Sequence, residues 1–188
     1  MKKTIVVVLV IFVVIGIIAG AFISSYNGFV QKQEDVNAAK SQVSVQLQRR
    51  ADLIPNFVAT VKGYSEYEKS TLTGVTEARA AVGKAQSVSE MGEASAELDK
   101  AIDVWVNAVT EAYPDLKANT QYVALQDELA GTENRIATAR KDYNDTANAY
   151  NKKVRSFPAN IVASMFGFEK AELFTEDAGA SAVPKVEF

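Results

Sequence analysis

"NTQYVALQDELAGTENRIATARKDYNDTANAYNKKVRSF", residues 119–157, decides the fold. Its apolar or small positions are Tyr122, Leu125, Leu129, Thr132, Ile136, Ala139, Tyr143, Thr146, Tyr150 and Phe157. The steps alternate three and four, apart from one gap of seven across Lys153 and Val154. A repeat of about 3.5 residues keeps one helix face on a straight seam, so the stretch reads as one long helix of a bundle or coiled coil. A half-buried strand needs period two, and no segment of the chain shows it convincingly.

Upstream, "VSEMGEASAELDKAIDVWVNAVTEAY" (88–113) carries a second stripe through Met91, Ala94, Leu98, Ala101, Trp105, Val109 and Ala112, with Ser89 as the expected N-cap. Pro114 ends it, because the residue before a proline disfavours helical backbone. Further back, Val36, Val43, Leu47, Ile54, Phe57, Val61, Tyr64, Leu72, Val75 and Val82 hold helical phase, with Pro55 in their midst. A proline within a helix loses one hydrogen bond and crowds the carbonyl four residues back, here that of Ala51. Unbroken phase argues for a kink. Length argues for a turn, since 36–85 as a single rod would reach roughly 75 Å, about twice the span of the 88–113 helix. The expectation is a turn at "RRADLIP" (49–55) and hence four helices.

The N-terminus is of a different kind. From Thr4 to Ile23 there is no charge, and 5–23 as a helix spans roughly 28 Å, close to a bilayer's hydrocarbon thickness. "AGA" (19–21) resembles a cleavage site, but the apolar run exceeds the usual signal-peptide core of about 7–15 residues, so an uncleaved signal anchor is expected. Lys2 and Lys3 precede the run, whereas "SSYNGFVQKQEDV" after it has one Lys against two acids. Positive-inside reasoning puts the N-terminus in the cytoplasm and the remainder outside. Phe22, Tyr26 and Phe29 are expected as an aromatic belt, and Gly28 as a loose point between anchor and domain.

Composition narrows the chemistry. The chain has neither His nor Cys, which removes the commonest general base, the commonest metal ligand and any thiol nucleophile. Beyond residue 23 there are 18 basic and 23 acidic side chains, a net of −5 with no footprint for nucleic acid. No GxSxG, phosphate-loop, dinucleotide-binding or EF-hand pattern occurs. No catalytic residue, cofactor or metal ligand is therefore assigned.

Several long stretches, "VQLQRRADLIPNFVATVKGY", "EARAAV", "YPDLKANTQYVALQDELAGTENRIATARKDYND" and "YNKKVRSFPANIVASMFGF", closely resemble the LemA family. The order of segments does too, down to the terminal "VPKVEF". The resemblance implies a membrane-anchored four-helix bundle of bacteria, with no established enzymatic activity and no active-site motif to transfer.

The expected protein is all-α: a single N-terminal transmembrane helix, then an antiparallel four-helix bundle with a short terminal helix. Residues 1–4 form a cytoplasmic stub, 5–23 the signal anchor, 24–34 a juxtamembrane linker, 35–168 the bundle and 169–188 a mobile C-terminal tail. Arg49, Arg50, Glu133, Arg135 and Arg140 are candidates for a buried polar layer that sets helix register, a polar cleft being the sharper alternative. Tyr143–Asn144 and Tyr150–Asn151 repeat at a spacing of seven and read as core rings with satisfied hydroxyls, against an aromatic ligand cleft.

"FPANIVASMFGF" (157–168) is uncharged, with Pro158 at a helix start and Gly167 at its end. It reads first as a cap over the open bundle end. The alternative is a partner or membrane contact through Phe157, Ile161, Met165, Phe166 and Phe168. Phe188, the last of "KVEF", suits a groove of the PDZ kind and is a further partner candidate. The leading functional expectation is a non-enzymatic membrane-anchored scaffold of the cell envelope. A homo-oligomer that organises membrane and a metal-dependent enzyme using acidic residues are the alternatives, and oligomeric state is left open.

Overall fold

The computed structural model of the protein describes residues 2–62 and 69–175, and every regular element among them is helical. Helix α1 spans Lys2–Lys62, α2 Lys69–Val82, α3 Val88–Ala112, α4 Thr120–Arg155 and α5 Ala159–Phe166; a 3₁₀ turn, Pro114–Ala118, joins α3 to α4. The chain forms two compact units. One comprises residues up to Ala38 with Asp145–Ala171, the other Ala39–Asn144 with the segment from Glu172.

The second unit is the bundle. Arg50 of α1 meets Asp99 of α3, and further along Phe57 meets Trp105, so α1 and α3 run the same way. Arg50 also meets Glu133 of α4 while Phe57 meets Tyr122, so α4 runs the opposite way. The tight turn between Val82 and Val88 makes α2 and α3 antiparallel neighbours. Phe57 is the hub, wholly buried, with its ring 4.9 Å from Trp105 and 5.0 Å from Tyr122. The Tyr122 hydroxyl, taken into the core with the ring, finds the Thr110 hydroxyl at 2.7 Å.

The heptad stripe of α4 is buried at Tyr122, Leu129, Thr132, Ile136, Tyr143 and Tyr150, with Ala147 taking the place expected for Thr146. On α3 the buried stripe includes Ile102, while Ala101 is half-buried and Ala112 exposed. The cap of α3 is Ser87 rather than Ser89. Its hydroxyl accepts from the Glu90 amide at 3.1 Å, and the Glu90 carboxylate accepts from the Ser87 amide at 3.0 Å.

The turn expected at 49–55 is absent. Helix α1 continues through Pro55 to Lys62. Two facts remove the objections. Only Ala39–Lys62 of α1 belongs to the bundle unit, a length nearly equal to α3, so the full rod need not be matched by its neighbours. The Ala51 carbonyl, which Pro55 deprives of its N–H, instead accepts from Arg79 Nε of α2 at 3.1 Å. Continuing the helix keeps Ile54, Phe57 and Val61 buried. The expected core position Tyr64 lies outside the described residues.

In the first unit the expected linker at 24–34 is unbroken helix. Phe29, expected in a headgroup belt, is wholly buried and stacks on Phe168 at 5.0 Å, with Lys153 Nζ 4.8 Å from its centroid. Gly28 is therefore no loose joint. The end of Lys153 lies where a Cβ at Gly28 would project.

The C-terminal segment is pinned as far as it is described. Within the first unit, Asn151 donates to the Ala171 carbonyl at 2.9 Å and accepts from its amide at 2.8 Å. Within the second, Asn144 does the same for Phe174, at 2.9 Å each way. The Tyr143 hydroxyl donates to the Glu172 carbonyl at 2.8 Å, and its ring meets the buried Phe174 at 5.2 Å. The tail expected to be mobile from residue 169 is thus ordered through 175. An amide side chain carries a donor and an acceptor side by side, so each Asn pairs with the N–H and the C=O of one residue at once.

Candidate functional site

Two groups of side chains were candidates: the polar layer and the terminal apolar helix. The polar residues do not form one layer. Arg50 is 3% exposed, with Nη2 3.1 Å from Asp99 Oδ1 and 3.5 Å from Glu133 Oε2. Burial pushes the Asp99 carboxyl above the usual range; Arg50 opposes the shift and Glu133 adds to it. Arg140 acts on the same carboxyl as a further positive charge, while its guanidinium lies 5.4 Å from the Phe174 ring centroid. Arg49 and Arg135 are separate and exposed. Both hold Glu128, at 2.7 and 3.0 Å, and their hydrogen bonds keep its carboxyl below the usual range.

Asp99 and Glu128 are the partners that sequence reasoning missed. Asp99 immediately follows the core residue Leu98, and an acid beside a core position was the available signal. The cluster holds two cations against two carboxylates, with no hydroxyl or thiol nucleophile among them. Among the described residues, no three acidic side chains gather into a set that could hold a metal ion.

The apolar segment is where exposure departs from a core. Phe157 is 81% exposed, Met165 65%, Phe166 54% and Ile161 45%. The expectation that Phe157 and Ile161 cap the bundle is therefore incorrect. Helix α5 buries Val162 and Ala163 instead. Gly167, with φ of 72°, terminates it in the left-handed conformation, and the Phe168 amide closes on the Ala163 carbonyl at 2.9 Å. Tyr26 of α1 meets the Phe166 ring at 4.8 Å and the Phe168 ring at 5.7 Å. Phe188 lies outside the described residues.

The model that describes the LemA family matches residues 39–188. The chain belongs to the LemA family. Among LemA-related proteins, magnetosome protein MamQ 2 of Paramagnetospirillum magneticum is 29% identical, over 80% of this chain and 65% of its own length. Protein LemA of Metamycoplasma hominis is 26% identical, over 85% of this chain and 73% of its own. Magnetosome protein MamQ of Magnetospirillum gryphiswaldense is 26% identical, over 80% and 65%. The chain thus spans just under two thirds of the length of the magnetosome relatives. The LemA match contains both the Arg50 cluster and α5. It leaves out the apolar run of α1, which is long and apolar enough to cross a membrane and has none of its most apolar window buried.

Proposed function

We propose that this LemA-family chain is a non-enzymatic, membrane-anchored scaffold of the bacterial cell envelope, with the exposed side chains of α5 as its contact surface. The apolar part of α1 is the anchor, the N-terminus is cytoplasmic and the helical domain lies on the other side. The observation that carries the reading is the set of large apolar side chains left uncovered on α5 and on the turn that leads into it, Phe157 of that turn foremost at 81% exposure. Soluble surfaces rarely keep such groups together without an occupant. The charged residues that might have supplied chemistry are engaged with one another in the bundle. None of the relatives compared above has a name that specifies a reaction.

The test is a photo-activatable side chain placed at Phe157 in the full chain and irradiated in native membranes. Adducts to another molecule are expected. An adduct to a second copy would favour the membrane-organising oligomer, and the absence of any adduct would overturn α5 as a contact surface.

A further inference from the structure

We infer that the occupant of the α5 surface is the lipid bilayer itself, with the Ile161–Met165 edge lying in the headgroup layer from which α1 emerges. The inference rests on the reading of α5 as a contact surface and names what covers it.

The apolar arc of α5 is wider than the protein can cover. Val162 and Ala163 face inward and are buried; Asn160 and Ser164 form one exposed edge, and Ile161 and Met165 the other. A helix polar on one edge and apolar around the remainder matches the division between water and acyl chains at a membrane surface.

The height of α5 relative to the bilayer is set by α1. The apolar run ends at Ile23, and the helix is unbroken from there through Tyr26. Three residues at about 1.5 Å rise put Tyr26 roughly 4.5 Å beyond the hydrocarbon. The headgroup layer on each side is about 5–7 Å thick. The Phe166 ring is 4.8 Å from that of Tyr26, so the end of α5 is fastened at headgroup depth. Because no flexible joint intervenes, a bilayer around the apolar run would meet α5 whether or not another protein is present.

The chemistry of the neighbourhood is that of an interface. Phe157, Phe166, Phe168 and Tyr26 are aromatic, a type enriched at the boundary between headgroups and acyl chains. The last turn of α4, just before Phe157, carries the exposed Lys152 and Arg155, and cations in this position complement anionic headgroups.

The chain has no cysteine, so a single introduced one takes a nitroxide label at a known position. Ile161→Cys, Met165→Cys, Asn160→Cys and Ser164→Cys are all at exposed sites, and thermal melts would verify their folding. The labelled full chains are reconstituted into vesicles of phosphatidylcholine and phosphatidylglycerol, and collisions with oxygen and with a water-soluble nickel chelate are compared. The expected result is an oxygen-to-nickel ratio several-fold higher at 161 and 165 than at 160 and 164. Nickel preference at all four positions would overturn lipid docking. Repetition in native membranes would then separate the two readings: shielding there means a protein partner and leaves the contact surface standing, whereas nickel access there too removes both. Shielding from both reagents that grows with the protein-to-lipid ratio would assign the face to a second copy and also overturn lipid docking.

Discussion

Arg50 and the half-buried Asp99 show how one ion pair can give stability an unusual pH dependence. The Asp99 carboxyl is held above its ordinary range by burial, so the folded chain holds its proton more tightly than the unfolded chain does. Its contribution is therefore largest below the unfolded pKa and declines as pH rises through the folded one. Glu90 and Glu128 behave oppositely. Backbone amides lower the first and arginine hydrogen bonds the second, so their contributions are lost as pH falls. Asp99→Asn is expected to steepen the fall in melting temperature between about pH 6 and pH 4, because it removes a group that opposes that fall. Melts across that interval check this, and an unchanged slope would count against it. Phe157 makes a simpler case. At 81% exposure, Phe157→Ala should shift stability by no more than about 0.5 kcal/mol, as surface changes do. A core cap would have lost about 3–5 kcal/mol. A thermal melt separates the two.

Helix α1 survives Pro55 because another helix completes its hydrogen bonding. Arg79 of α2 reaches the Ala51 carbonyl at 3.1 Å and lies 3.6 Å from Asp52. Arg79→Ala should cost about 1–3 kcal/mol through the carbonyl left unsatisfied. In a Pro55→Ala background the restored N–H supplies an intrahelical donor, so the same change should cost less. Denaturant melts of the four-member cycle measure the coupling, and additivity would show the proline and arginine to be unrelated. The extended segment after α5 depends on α4 in a comparable way. Asn144→Ala removes both bonds to Phe174 and should raise hydrogen exchange at the Phe174 amide by about tenfold or more, the equivalent of one lost hydrogen bond. Unaltered exchange would place the hold on that segment in the Phe174 ring alone.

At the largest scale the chain has an apolar run in one unit and a helical bundle in the other. The most apolar window of α1 is unburied, and the family match begins at residue 39, beyond it. A run of that kind beside a folded LemA domain accounts for a protein held at a membrane. With the topology proposed above, a reporter fused after Phe188 that is active only outside the cytoplasm should be active. Activity of a cytoplasm-only reporter at the same position would reverse the orientation.

Much of this architecture is legible in one dimension. The seven-residue stripe of α4, the apolar run of α1, and Pro158 and Gly167 at the ends of α5 are local patterns, since helix periodicity and glycine's tolerance of positive φ act within a few residues. What escaped the sequence depends on groups far apart along the chain. The helix passes Pro55 because Arg79 lies beside Ala51. Residues 171–174 are ordered because Asn144 and Asn151 match their peptide groups. Arg50 finds Asp99 on a helix whose stripe betrayed only its apolar side. Phe157 falls on the heptad of α4 yet is left uncovered by the protein, because α4 ends at Arg155 and the chain turns into α5. Periodicity marks which residues are apolar on one face; which of them are covered depends on where neighbouring helices end, and that is settled only when the chain has packed.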